Sequence, residues 1–111
     1  MMRVSKALGS LVAMAAALVA LSTATDARAD EEFTAVGGKG SVEVKGNGHW
    51  HINKDAPWKV TSGTTVLLKE KWTLSEGSAT VGNVPAGPAV VKVYVCNGGQ
   101  CKNTEVTVTV K

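Results

Sequence analysis

Beyond Met14 the chain contains no methionine; its three methionines are Met1, Met2 and Met14. A methionine-rich copper-carrying surface is thereby excluded. No apolar stretch is long enough to span a bilayer, because the uninterrupted run Leu11 to Leu21 falls short of the roughly 20 residues a spanning helix needs. No cysteine stands directly after that run, which argues against a lipid-anchored mature N-terminus. Basic stripes and interleaved aromatics are missing too, and the lysines are scattered among acids, so nucleic acid is discarded as a partner. The two histidines, the serines and the acids show no nucleophile–base spacing that suggests hydrolysis. The glycine-rich segments sit in turn-like contexts rather than between a strand and a helix, which excludes a phosphate loop.

The N-terminus carries the signs of export. Met1-Met2-Arg3-Val4-Ser5-Lys6 is a charged start, followed by an apolar run from Ala7 to Leu21 broken only by Gly9 and Ser10, and then by a polar stretch ending Ala27-Arg28-Ala29. This is the order of a secretory signal peptide with a small-x-small cleavage site. We expect residues 1–29 to be removed and 30–111 to form one domain, periplasmic or secreted, monomeric and not membrane-spanning after cleavage. Of the twelve basic residues Arg3, Lys6 and Arg28 lie in the leader, and of the nine acidic ones Asp26, leaving nine against eight. The apparent basicity therefore belongs to the leader, and disulfides can persist where the remainder resides.

Along the expected mature chain the apolar period is two. Val42 and Val44 alternate with Ser41, Glu43 and Lys45; Trp50 and Ile52 with His49, His51 and Asn53; Val91, Val93 and Val95 with Lys92 and Tyr94; Val106, Val108 and Val110 with Thr107 and Thr109. These are half-buried strands. Gly37-Gly38, Gly46-Asn47-Gly48, Ser62-Gly63, Glu76-Gly77, Pro85-Ala86-Gly87-Pro88 and Asn97-Gly98-Gly99 supply turn chemistry between them. Roughly seven or eight strands with few helical positions predict an all-β, immunoglobulin-like antiparallel sandwich. Trp50 and Ile52 are expected in the core, with Trp58 and Trp72 as packing residues.

The only two cysteines, Cys96 and Cys101, stand at the ends of Asn97-Gly98-Gly99-Gln100. A hairpin with arms 89–96 and 101–110 and a four-residue loop would set them opposite each other, within disulfide reach. Structural staple, redox couple and metal clip all remain open at this point. A bond closing so short a loop contributes only about 2 kcal/mol in the chain-entropy model. His49 and His51 at i and i+2 could complete a Cys2His2 metal set with reduced thiols; the oxidising compartment weighs against it, and we expect no metal or other cofactor. His51 is then expected to hydrogen-bond a loop, and His49 to be solvated.

The segment Gly48-His49-Trp50-His51-Ile52-Asn53-Lys54-Asp55-Ala56-Pro57-Trp58-Lys59-Val60, with Val95-Cys96-x4-Cys101 and a closing strand after it, resembles the N-terminal immunoglobulin-like domain of the periplasmic thiol:disulfide interchange protein DsbD. The matching positions are Trp50, His51, Ile52, Asn53, Pro57, Cys96 and Cys101. The resemblance implies a redox-active Cys96/Cys101 disulfide, with Cys101 the attacked sulfur. It also implies a loop aromatic shielding the bond, for which Trp58 is the candidate, with His51 and Asn53 as further candidates for shielding or for positioning the loop. Implied partners are thioredoxin-like exported proteins or a membrane electron donor. The sequence departs from the family at Cys101-Lys102-Asn103-Thr104, where a proline-containing stretch is common, and these 111 residues hold no counterpart of the family's membrane-embedded portion. Two functions follow as expectations: a thiol–disulfide exchange module, a redox carrier rather than a stand-alone enzyme, or a non-catalytic binding or structural domain whose disulfide pins a hairpin.

Overall fold

A computed structural model describes residues 26–111; most of the expected leader lies outside them. The described chain runs β1 (Ala27–Ala29), β2 (Phe33–Gly38), β3 (Ser41–Gly46), β4 (His51–Ile52), β5 (Lys59–Ser62), β6 (Thr65–Leu67), a 3-10 turn (Lys69–Lys71), β7 (Trp72–Leu74), β8 (Ser78–Gly82), β9 (Gly87–Asn97) and β10 (Gln100–Val110). The count exceeds the seven or eight expected because β1 and β4 are fragments of three and two residues.

The strands form two antiparallel sheets. One is ordered β1-β2-β3-β8-β7 and the other β10-β9-β5-β6, with β4 beside β9 at the far end. Leaving β1 aside, these are the A-B-E-D and G-F-C-C′ orders of an immunoglobulin-type sandwich. The fold expected from the two-residue period is the one observed. Alternation decides which side chains face inward: Phe33, Ala35, Val42, Val44, Ala79 and Val81 from the first sheet meet Ile52, Val60, Val91, Val93, Val95, Val106, Val108 and Val110 from the second in one buried cluster. Burying each large apolar side chain of this kind is worth about 1.5–3 kcal/mol, which is why the two sheets hold together.

Two glycines read as turn residues do something else. Gly37 and Gly46 lie inside β2 and β3. A Cβ on Gly37 would stand 2.1 Å from the carbonyl oxygen of Thr109, and one on Gly46 would stand 2.2 Å from that of Trp50. They are places where backbone meets backbone, and only glycine permits that separation. Gly46 in particular lets the end of β3 lie against the segment that leads into β4.

β4 and β5 both pair with β9, at Cys96 and Val95 and at Lys92 to Val90 respectively. One C strand is thus interrupted by the loop 53–58. Asn53 organises this loop: its N–H donates to the Tyr94 carbonyl (3.0 Å), its side-chain oxygen accepts the Asp55 N–H (3.1 Å), and its carbonyl accepts the Trp58 Nε1–H (2.8 Å).

β1 has three exposed residues and sits at a sheet edge. The expected cleavage point follows it immediately. Asp26 pairs with Lys111 beside it, and that contact holds the Asp26 carboxyl below the usual carboxylate range. None of the buried cluster comes from residues 26–29. Among the described residues no helix is long and apolar enough to cross a membrane.

Candidate functional site

β9 and β10 are the longest strands, 11 residues each, paired in register from Gly87↔Val110 to Asn97↔Gln100. The loop is therefore Gly98-Gly99, two residues rather than the four expected, because Asn97 and Gln100 already belong to the ladder. Gly98 has φ 62°, as the first loop position of a II′ hairpin turn requires. The pair flanking such a turn exchanges hydrogen bonds, so the next pair, Cys96↔Cys101, is of the closer, non-hydrogen-bonded kind. Their Cα atoms are 4.0 Å apart and the two sulfurs form a disulfide.

The sulfurs differ in exposure. Val93 and Val95 point into the core, so Cys96 faces the outside of its sheet; it is nevertheless only 7% exposed and is not a member of the core cluster. Its cross-strand neighbours explain the difference. Cys101 lies opposite on β10 and His51 opposite on β4, in the row His51–Cys96–Cys101. Cys101, on the edge strand at the tip, is exposed. Lys102 reaches back to Glu32 at 3.1 Å and ties the tip to the first sheet.

His51 is half-exposed. Its Nδ1 lies 3.6 Å from Glu76 Oε2 and 3.4 Å from the Ile52 carbonyl oxygen. The Ile52 N–H donates to the Glu76 carbonyl (2.9 Å), so backbone and side chain together fix the β7–β8 loop over β4. His49 does not share a strand face with His51: it occupies an exposed turn, because β4 begins only at His51. Trp50 likewise precedes the strand and is partly buried against the core rather than within it. Groups of three or more metal-ligating side chains are absent among the described residues.

Trp58 is placed otherwise than the resemblance implies. It is fully buried, its ring 5.3 Å from Trp72 and 5.8 Å from Tyr94, with its N–H on the Asn53 carbonyl. It closes the gap left by the interrupted C strand as a packing residue, not as an exposed loop aromatic over the disulfide. A depression of about 440 Å³ lies beside it, between the 53–58 loop and Leu68 to Glu70. Neither cysteine nor His51 lines it; the disulfide lies instead at the end of the β9–β10 hairpin, one pair before its turn.

What sequence reasoning missed is the adjacency of His51 to Cys96. Both residues were singled out, but their pairing depends on how β4 lies along β9, for which the 44 intervening residues carry no local signal. No family model matches the chain, and neither a curated protein nor a solved structure matches it. The likeness to the DsbD domain therefore rests on the quoted motifs alone, and the chemistry must be argued from these residues.

Proposed function

We propose that the protein is an exported thiol–disulfide exchange module, periplasmic or secreted, that passes electrons between thioredoxin-like partners through Cys96 and Cys101. One observation carries the reading: the disulfide joins directly opposed residues beside a two-residue turn, Cys101 being an exposed residue and Cys96 a buried one. As a staple it is poorly placed, since the turn already holds its ends together. For exchange it is well placed, since a thiolate must approach one sulfur along the S–S axis, and Gly98 and Gly99 leave that side of the tip without side-chain bulk.

The reaction runs in two displacements. A partner thiolate attacks Cys101 Sγ, a new S–S bond forms, and the Cys96–Cys101 bond breaks with its electron pair leaving on Cys96. The partner's second thiolate then attacks its own sulfur in the mixed disulfide and releases Cys101. Two electrons have moved to this chain, and the partner leaves as a disulfide.

Cys96→Ser, its remaining thiol first activated as a mixed disulfide with thionitrobenzoate, should exchange with the thiolate of a thioredoxin-fold partner lacking its resolving cysteine, releasing thionitrobenzoate and leaving a stable mixed disulfide, and should do so far better than Cys101→Ser treated likewise. Non-reducing gels of both variants provide the test, together with titration of the reduction potential. A value among those of exchange proteins, about −120 to −270 mV, fits the proposal, whereas one below about −300 mV marks a structural bond. A low potential and no adduct would leave the non-catalytic domain with a pinned hairpin.

A further inference from the structure

We propose that His51 is the acid–base group of this disulfide, giving a proton to Cys96 when it leaves and taking it back when it attacks. The inference rests on the exchange reading for its biological use, but its chemistry concerns only this chain. Directly opposed residues in an antiparallel pair carry their side chains on one face with Cβ atoms about 4.5–5.5 Å apart. His51↔Cys96 is such a pair, and Cys96↔Cys101 is the next one in the same row. The imidazole is therefore carried on the same sheet face as the Cys96 side chain, on the strand that flanks β9 opposite β10.

That sulfur is the one in need of help. When Cys101 is attacked, the electron pair of the broken bond goes to Cys96, which is 7% exposed and has little water to accommodate a thiolate. A protonated imidazole beside it supplies a positive charge and a proton. Glu76 Oε2 at 3.6 Å and the Ile52 carbonyl at 3.4 Å both lie on the Nδ1 side of the ring, so Nε2 is the nitrogen we assign to the sulfur. In the reverse direction neutral His51 takes the proton from the Cys96 thiol, and the thiolate attacks Cys101 Sγ in the mixed disulfide, expelling the partner's thiolate.

Few other ionisable groups compete for this role. From the β7–β8 loop the facing group is Glu76. β8 carries none, β3 carries Lys45 next to its last residue, and β9 has Tyr94 and Lys92 two and four positions before Cys96. β10 contributes Cys101 itself and, one residue on, Lys102, which is engaged by Glu32.

The test is the rate at which excess dithiothreitol reduces the oxidised protein between pH 5.5 and 9, corrected for the fraction of dithiothreitol present as thiolate. His51→Gln should slow the corrected rate at least about tenfold at the acidic end and by less than about twofold at the basic end. His51→Lys, charged throughout, should keep the rate high and remove the fall toward basic pH. A ratio of wild type to His51→Gln near one, or one that does not change with pH, overturns the proposal. So does a wild-type corrected rate without any decline across the range, a measurement that needs no variant to fold. The exchange reading fails separately, through absence of a mixed disulfide with thioredoxin-fold partners, and that outcome leaves the dithiothreitol ratio untouched.

Discussion

Gly46 and Trp50 meet through their backbones, the Gly46 α-carbon lying so near the Trp50 carbonyl that a methyl group there would stand 2.2 Å from the oxygen and 3.2 Å from the α-carbon of His51. Neither neighbour is a flexible side chain that could swing aside. Gly46→Ala should therefore push the 50–52 segment away from β3 and cost about 1–3 kcal/mol, the usual range for overpacking. Denaturant midpoints at unchanged slope measure this. An unchanged midpoint would mean that the segment is not held against β3.

Replacing both cysteines by serine, or reducing the bond, should leave the sandwich folded and lower its stability by no more than about 2–3 kcal/mol, since only a short loop is closed. The inward row Val91, Val93, Val95, Val106 and Val108 does not depend on the bond. Global unfolding on mild reduction, seen by circular dichroism, would contradict this and make the bond a structural requirement.

Trp58→Phe removes the indole N–H from the Asn53 carbonyl and part of the ring that packs against Trp72 and Tyr94. A loss of about 1–3 kcal/mol is expected, with faster amide exchange across residues 53–58. If Trp58 shielded the sulfurs instead, the variant would be reduced faster by dithiothreitol at an unchanged midpoint.

Much of the fold was readable from spacing, and the reasons differ by element. Val91 pairs with Val106 and Ala89 with Val108, and a period of two along both strands puts Val91, Val93, Val95, Val106, Val108 and Val110 in the core. Gly37 and Gly46 misled because glycine serves both turns and close approach, and only the partner strand distinguishes the two. Trp50 and His49 alternate as a strand would, but Asn47, Gly48 and His49 are spent on a turn in which the Trp50 N–H returns to the Asn47 carbonyl (2.9 Å). At the site, the opposed cysteines were legible because their pairing is local. The third member of the row was not, since β4 reaches β9 through the tertiary fold.

The N-terminus provides the fourth prediction. Intact-mass measurement of exported protein should find a chain starting at Asp30, and a mass retaining residues 1–29 would refute it. Such processing removes Asp26 and its contact with Lys111, whose hydrogen bond depresses the Asp26 carboxyl. A carboxyl held low when folded stabilises above its ordinary titration range and ceases to do so as pH falls through the depressed value. Only the unprocessed chain should carry that contribution. It should be small and salt-sensitive because the pair is exposed, so acid unfolding of the two forms should differ little.

The two-residue turn also frees disulfide formation from the timing of the rest of folding. Hairpins close in about 1–10 μs, so the tip can bring its thiols face to face long before distant strands such as β2 and β10 have met. Oxidation can then occur early or late without committing the remainder of the chain. With two cysteines only one intramolecular pairing exists, so the chain has no scrambled intramolecular isomer to escape.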